Sequence, residues 1–295
     1  MANHVTIPAA HRLVLSRAEW SVLADQSPIE LPPDLRPPGG LRSSTEPSLG
    51  LTSEERRAAA RHLVDRGVLT ERGSDPLRYP PVRSVAANLA LLVAHRVGVR
   101  IDVGIGRYGV RAAYVLTEAV GASLFTLADG AVELSMFPAA RWGWELVRAV
   151  PTSEQLETSG VRIRRALRSE EDTPLTGLVP LAALARATPE GPPWAASFVD
   201  DIDGLPDLDD DERALARAAA ARTVGLLRCL VAGRVGDGTG LGQVVWLAAD
   251  DGWVGAAPDL PDRGRPMVRL MPVSREDLPT WVAPYVAQIL EATSD

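Results

Sequence analysis

The chain has 295 residues, a formal net charge of −7 and a pI near 5.3, so nucleic-acid binding, which needs a basic surface, is not expected. All 31 basic residues are arginine, which excludes mechanisms that depend on a lysine nucleophile or on a P-loop lysine. No apolar run is long enough to span a membrane. The opening residues also lack the charged start and apolar core of a secretory signal, so we expect a cytoplasmic protein.

The N-terminal part of the chain predicts capped helices separated by a proline-rich loop. Two helix starts are marked by capping boxes, in which a Glu follows a Ser or Thr by three residues (Ser16 and Glu19, Thr52 and Glu55). The second of these helices runs to Gly67, and another is predicted over residues 84–96. Residues 28–50 are rich in Pro, Gly and Ser, which favours an irregular loop.

The hydrophobic period changes to two at residue 97, which predicts an antiparallel meander over residues 97–137. A turn is predicted at Asp129-Gly130. Gly104–Gly109 matches the dinucleotide fingerprint, but that motif requires a helix beginning at its third glycine. Alternating β-branched residues follow instead, so we interpret the motif as a hairpin turn, with nucleotide binding as the alternative.

The stretch between the strand-rich segments is acidic and loop-rich. Residues 200–212 carry eight carboxylates, but their spacing does not fit a calcium loop, so we predict a solvated segment and no metal site. Asp209 is predicted to begin a long helix that continues through Val231 and contains the only cysteine, Cys229. A last helix is predicted over residues 278–291, with a kink or a late start because of Pro284.

The chain contains the same pattern twice, over residues 97–150 and residues 228–291. Each copy has short alternating strands joined by Gly or Asp-Gly turns, followed by a proline and a Trp-bearing amphipathic segment. We treat the Asp129-Gly130 and Asp251-Gly252 turns as equivalent. Repetition at this scale predicts two pseudo-symmetric halves that share one sheet.

Four segments together resemble the EspG family of chaperones from actinobacterial type VII (ESX) secretion. They are LSRAEWSVLAD, LTSEERRAAARHLVDRGVL, the meander that begins RIDVGIGRYGV, and the closing segment from VVWLAADDGWVGAA to APYVAQILE. The resemblance implies an α+β fold with a pseudo-two-fold central antiparallel β-sheet flanked by helical bundles. It also implies a single domain made of two halves, about 11–160 and 161–291, related by a rotation of about 180°.

The same resemblance implies a non-enzymatic protein without a cofactor, one that binds a helical secretion substrate of the PE/PPE or WXG type and keeps it soluble. As partner-binding anchors we select two tryptophans that flank the second hairpin, and the Gly-rich loop beside them (Trp246, Trp253, Gly238). Two other classes remain as alternatives. One is a ligand-responsive or DNA-associated regulator that uses the 52–69 helix, and the other is an enzyme that uses Gly104–Gly109 for a nucleotide.

Overall fold

The structure is a computed structural model that describes residues 10–27, 51–93, 96–106, 108–127, 130–158, 175–187, 208–250, 252–259 and 265–292. The proline-rich stretch 28–50 and most of the acidic stretch, residues 200–207, therefore lie outside the described residues. Of the remaining acidic residues, Asp209 and Glu212 form a capping box at the start of a helix. These carboxylates thus serve a helix N-terminus.

The described residues form one ten-stranded antiparallel sheet, in the order β1-β5-β4-β3-β2-β7-β8-β9-β10-β6. Its strands are β1 (His11–Leu15), β2 (Val97–Ile105), β3 (Tyr108–Leu116), β4 (Val120–Thr126), β5 (Val132–Pro138), β6 (Gly177–Pro180), β7 (Thr223–Val235), β8 (Gly238–Ala249), β9 (Gly252–Asp259) and β10 (Met267–Val273). The helices packed around it are α1 (Arg17–Gln26), α2 (Ser53–Asp65), α3 (Arg83–Val93), α4 (Trp142–Val147), α5 (Ser153–Thr158), α6 (Leu181–Ala187), α7 (Asp210–Arg222) and α8 (Leu278–Glu291).

The order of elements confirms the pseudo-two-fold α+β fold. In the first half the meander β2–β5 is bordered by β1, and in the second half the meander β7–β10 is bordered by β6. The two meanders meet where β2 pairs antiparallel with β7, with Ile101 opposite Cys229. In each half the meander is followed by a short 3-10 turn and then by a helix, α4 or α8. The proposed boundary near residue 160 lies outside the described residues, so the extent of each half remains a prediction.

Two details of the predicted duplication need correction. Gly130 lies between β4 and β5, whereas Gly252 begins β9 directly after β8. The two Asp-Gly turns are therefore not equivalent, because one follows the third strand of its meander and the other follows the second. The structural counterpart of the β2–β3 turn is the β7–β8 turn. The late start considered for the last helix is also wrong, because α8 begins at Leu278 and includes Pro284.

The long helix predicted through Val231 is wrong. Helix α7 ends at Arg222, and β7 begins with the next residue. The segment from Thr223 onward alternates its side chains between two environments and pairs with β2 on one side and β8 on the other. The hydrogen bonds of two neighbouring strands override the helix propensity of the leucines here. Cys229 accordingly lies in a strand.

Three apolar clusters divide the two faces of the sheet. We call the face that carries Ile101, Cys229 and Trp246 the front face; it is covered mainly by α4, α5 and α8. On the opposite, back face, α1, α2 and α3 pack on strands β3–β5. Helices α6 and α7 pack on the strands at the other end of the back face. The back face thus carries one helical bundle at each end.

Glycines on the front face allow α8 to lie close to the sheet. A Cβ atom on Gly242 would lie 2.3 Å from the ring of Tyr285, and one on Gly255 would lie 2.5 Å from the ring of Trp281. These separations are shorter than any van der Waals contact. The approach of the C-terminal helix therefore explains the glycines at position 242 of β8 and position 255 of β9.

We predict that Gly242→Ala lowers the free energy of unfolding by about 1–3 kcal/mol, because the added methyl group displaces the Tyr285 ring. Gly238→Ala is the matched control, since a Cβ there meets only the Val235 carbonyl oxygen, at 3.6 Å. Urea unfolding measures both variants. Equal midpoints for the two would show that the glycine at 242 is not needed for helix packing.

A network of charged side chains ties the first edge of the sheet to α4. Arg12 donates to Glu133 at 2.8 Å and to Glu145 at 2.7 Å, and Arg148 donates to the same two carboxylates at 2.8 and 3.1 Å. Both glutamates are almost fully shielded from solvent. Burial raises the pKa of Glu133 and of Glu145, and the opposing effect of Arg12 is smaller.

Since these pKa values lie above the ordinary value of 4.5, the folded state binds protons more tightly than the unfolded state. Their contribution to stability is therefore fully present below the unfolded-state pKa, and it is lost as the pH rises through the raised pKa values. We expect the double variant E133Q/E145Q to lose this dependence. Thermal unfolding of the wild-type chain and of E133Q/E145Q, from below the unfolded-state pKa to above the raised pKa values, measures the difference. If the stability of the wild-type chain relative to the variant increased with pH, the raised pKa values would be contradicted.

Candidate partner-binding surface

The three anchors selected from sequence do not lie together on a surface. Trp246 is fully buried, with ring centroids 6.2 Å from Trp253 and 6.0 Å from Trp281. Trp253 is half-buried and packs against the front cluster. Gly238 is exposed at the tip of the β7–β8 hairpin. Trp246 as an accessible anchor is therefore a wrong prediction, because its ring is buried between Trp253 of β9 and Trp281 of α8.

We expect Trp246→Ala to lower the free energy of unfolding by about 3–5 kcal/mol, as deletion of a buried aromatic ring does. Trp144, which is 71% exposed on α4, provides the matched control, and Trp144→Ala should change stability by less than about 0.5 kcal/mol. Chemical denaturation of both variants gives the two values. A small loss for Trp246→Ala would contradict its role in the core.

A better candidate surface lies on the back face, along the central strands between the two helical bundles. Arg100, Leu230 and Gln243 face each other in one cross-strand row. In the next row Gly98 and Leu241 flank Ala232. Residues opposite one another in antiparallel strands project from the same face, so these side chains share one surface. We call this surface the seam; its residues are Gly98, Arg100, Asp102, Arg111, Arg228, Leu230, Ala232, Arg234, Leu241 and Gln243.

The seam exposes apolar side chains that belong to none of the three apolar clusters. Leu230 is 44% exposed and Leu241 is 68% exposed. Residues next to them in sequence that point to the front face, such as Cys229 and Gly242, are buried. Because Gly98 has no side chain and Ala232 has only a methyl group, this part of the surface lies close to the sheet backbone. Four strands, β3, β2, β7 and β8, carry the seam, which makes it about 14 Å wide at about 4.8 Å per strand spacing. An α-helix, about 10 Å in diameter, fits this width.

Ion pairs organise one end of the seam. The Asp102 carboxylate accepts from Arg100 Nε at 2.9 Å and from Arg111 Nε at 2.9 Å. Arg228 and Arg234, which project from the same face of β7, are exposed and have no salt-bridge partner among the described residues. The seam therefore combines two leucines with basic groups, and its chemistry is that of a mixed apolar and polar binding surface.

Sequence reasoning missed Leu230 because that residue falls within the helix that was predicted through Val231. The signal was present in the strand period of LRCLVAGR. Buried Leu227, Cys229 and Val231 alternate there with the side chains of the seam. The exposure of Leu241 depends on the width of the gap between the bundles. That gap is a tertiary feature without a local sequence signal.

The alternative sites gain no support from the geometry. Ile105 pairs with Tyr108 and β3 follows directly, so Gly104–Gly109 is a hairpin turn, as predicted, without the helix N-terminus that a pyrophosphate requires. Helix α2 exposes both acidic and basic residues, unlike a DNA-recognition helix. Within the described ranges, no three His, Cys, Asp or Glu side chains cluster as metal ligands would. In that part of the chain no helix is both long and apolar enough to cross a bilayer.

Comparison with known proteins supports the fold. The searches of protein-family models and of curated proteins gave no match. Among solved structures, the chain is similar to the Mycobacterium tuberculosis type VII secretion system chaperone EspG5, whose structure was determined in complex with the PE25-PPE41 dimer. The TM-score is 0.55 at 10% sequence identity, and the match covers 94% of this chain and 96% of that chain. The chain therefore has an EspG-like fold.

Proposed function

We propose that this protein is a cytoplasmic chaperone or adaptor of type VII secretion. It binds a helical secretion substrate of the PE/PPE or WXG type, keeps that substrate soluble and delivers it to the secretion machinery. The observation that carries the proposal is the pair of exposed leucines on an open sheet face between two bundles. The similarity of fold to a type VII secretion chaperone, which extends over 94% of the chain, supports the same function.

The seam has the properties that docking of a helix requires. Its width matches one helix, and the small residues at its floor let the backbone of a partner approach. Burial of an exposed leucine side chain is worth up to about 1.5–3 kcal/mol, so Leu230 and Leu241 supply a large share of the affinity of a micromolar complex. The basic groups around them supply orientation.

Binding, rather than catalysis, also fits the chemistry of the one thiol. Burial raises the pKa of Cys229 to about 12, so at neutral pH it is a protonated, inaccessible group. Cys229 therefore contributes to packing and does not act as a nucleophile. The proposed activity depends on the shape and composition of the seam.

The test is capture of a PE/PPE-like or WXG-type heterodimer co-expressed with the tagged chain. We expect the wild-type chain to retain the heterodimer and the double variant L230D/L241D to bind it at least thirtyfold more weakly, because two desolvated carboxylates replace the apolar anchors. Val14→Asp is the control, since Val14 is 46% exposed on the edge strand β1, away from the seam.

Failure of the wild-type chain to retain any such heterodimer would contradict the chaperone function. Equal retention by L230D/L241D and the wild-type chain would instead show that the partner docks elsewhere. Circular dichroism of each variant separates loss of binding from loss of fold.

A further inference from the structure

The charges of the seam specify the partner more closely than its leucines do. Four arginines and one aspartate lie on this surface (Arg100, Arg111, Arg228, Arg234 and Asp102), so its formal charge is +3. The whole chain, in contrast, has a net charge of −7. The seam is therefore a basic strip on an acidic protein.

Among the residues that the structure describes, two of these arginines have no salt-bridge partner. Elsewhere, Arg269 pairs with Asp259 across two strands at 2.9 Å, and Arg96, just before β2, pairs with Glu118 at 3.0 Å. Arg228 and Arg234 form no ion pair within the described part of the chain. Asp102 lies opposite Arg228 in the β2–β7 register, but its carboxylate is already paired with Arg100 and Arg111. Unpaired guanidinium groups beside exposed leucines leave both kinds of contact available to a partner.

The register gives these groups a fixed spacing. Arg228 and Arg234 are six residues apart on one strand, which corresponds to about 20 Å at about 3.4 Å per residue. Leu230 and Ala232 lie between them on the same face, with Leu241 beside Ala232. A helix that lies along β7 covers this distance in about 14 residues, or about four turns, at 1.5 Å per residue.

Building on the proposed function, we infer that the partner docks through a helix whose contacting face is acidic at both ends and apolar between them. Its two carboxylate positions are about 14 residues apart, close to four full turns, so both project from one face and one contacts Arg228 while the other contacts Arg234. The apolar residues between them cover Leu230 and Leu241. Charge complementarity of this kind sets the orientation of the helix and accelerates association.

Two synthetic helical peptides test the inference. They share one leucine and alanine stripe and differ only at the two end positions, which carry Glu in one peptide and Lys in the other. We expect the wild-type chain to bind the Glu peptide at least tenfold more tightly in fluorescence anisotropy, with a preference that shrinks as salt is raised. R228E/R234E should prefer the Lys peptide, whereas the control R57E/R61E, on the exposed face of α2, should behave as wild type.

The outcomes separate this inference from the proposed function. Equal binding of both peptides, or no reversal of preference in R228E/R234E, overturns the acidic-helix inference. If L230D/L241D still weakens heterodimer capture in that case, the seam remains the docking surface. Binding of neither peptide also overturns the inference. If the wild-type chain also fails to capture the heterodimer, the proposed function is contradicted too. A circular dichroism spectrum like that of the wild-type chain shows that R228E/R234E remains folded.

Discussion

The antiparallel pairing of β2 with β7 is the interaction on which the rest of the structure depends. It joins two meanders, each bordered by its own edge strand, into one ten-stranded sheet. The register from Val97 opposite Gly233 to Ile105 opposite Gly225 fixes which side chains point to each face. A shift of β7 by one residue against β2 would turn Leu230 toward the front core and Cys229 toward the back face.

The two faces of the β2–β7 pair differ in what covers them. On the front face the β-branched residues of β2 and the rings near Trp246 are covered by α8, whose approach depends on glycines in the sheet. On the back face each bundle packs over the outer strands of its own half. Because the two bundles lie at opposite ends, the central strands between them keep an exposed surface. The seam is therefore a direct consequence of the pseudo-two-fold arrangement.

Much of the fold was predictable from sequence because its signals are local. The capping boxes at Ser16, Thr52 and Asp209 mark helix starts that the structure confirms, and the period-two segment from residue 97 forms the predicted meander. The end of α7 was not predictable in the same way. Leucines after Arg222 suit a helix as well as a strand, and only pairing with β2 and β8 decides between them.

The binding surface was harder to predict than the fold. Tryptophan is common both in cores and at interfaces, so sequence alone did not distinguish the buried Trp246 from an anchor. The open face depends on where two bundles end relative to the sheet, which is a property of tertiary packing. Leu230 became a candidate only once its strand and its exposure were known.

Site-specific photo-crosslinking distinguishes a substrate helix that contacts the seam from one that binds elsewhere. A photoreactive phenylalanine analogue is placed at position 230, and in a second variant at position 14, with the PE/PPE-like or WXG-type heterodimer co-expressed. We expect a covalent adduct with the heterodimer from position 230 and none from position 14. An adduct from position 14 alone, with position 230 unreacted, would contradict contact at the seam.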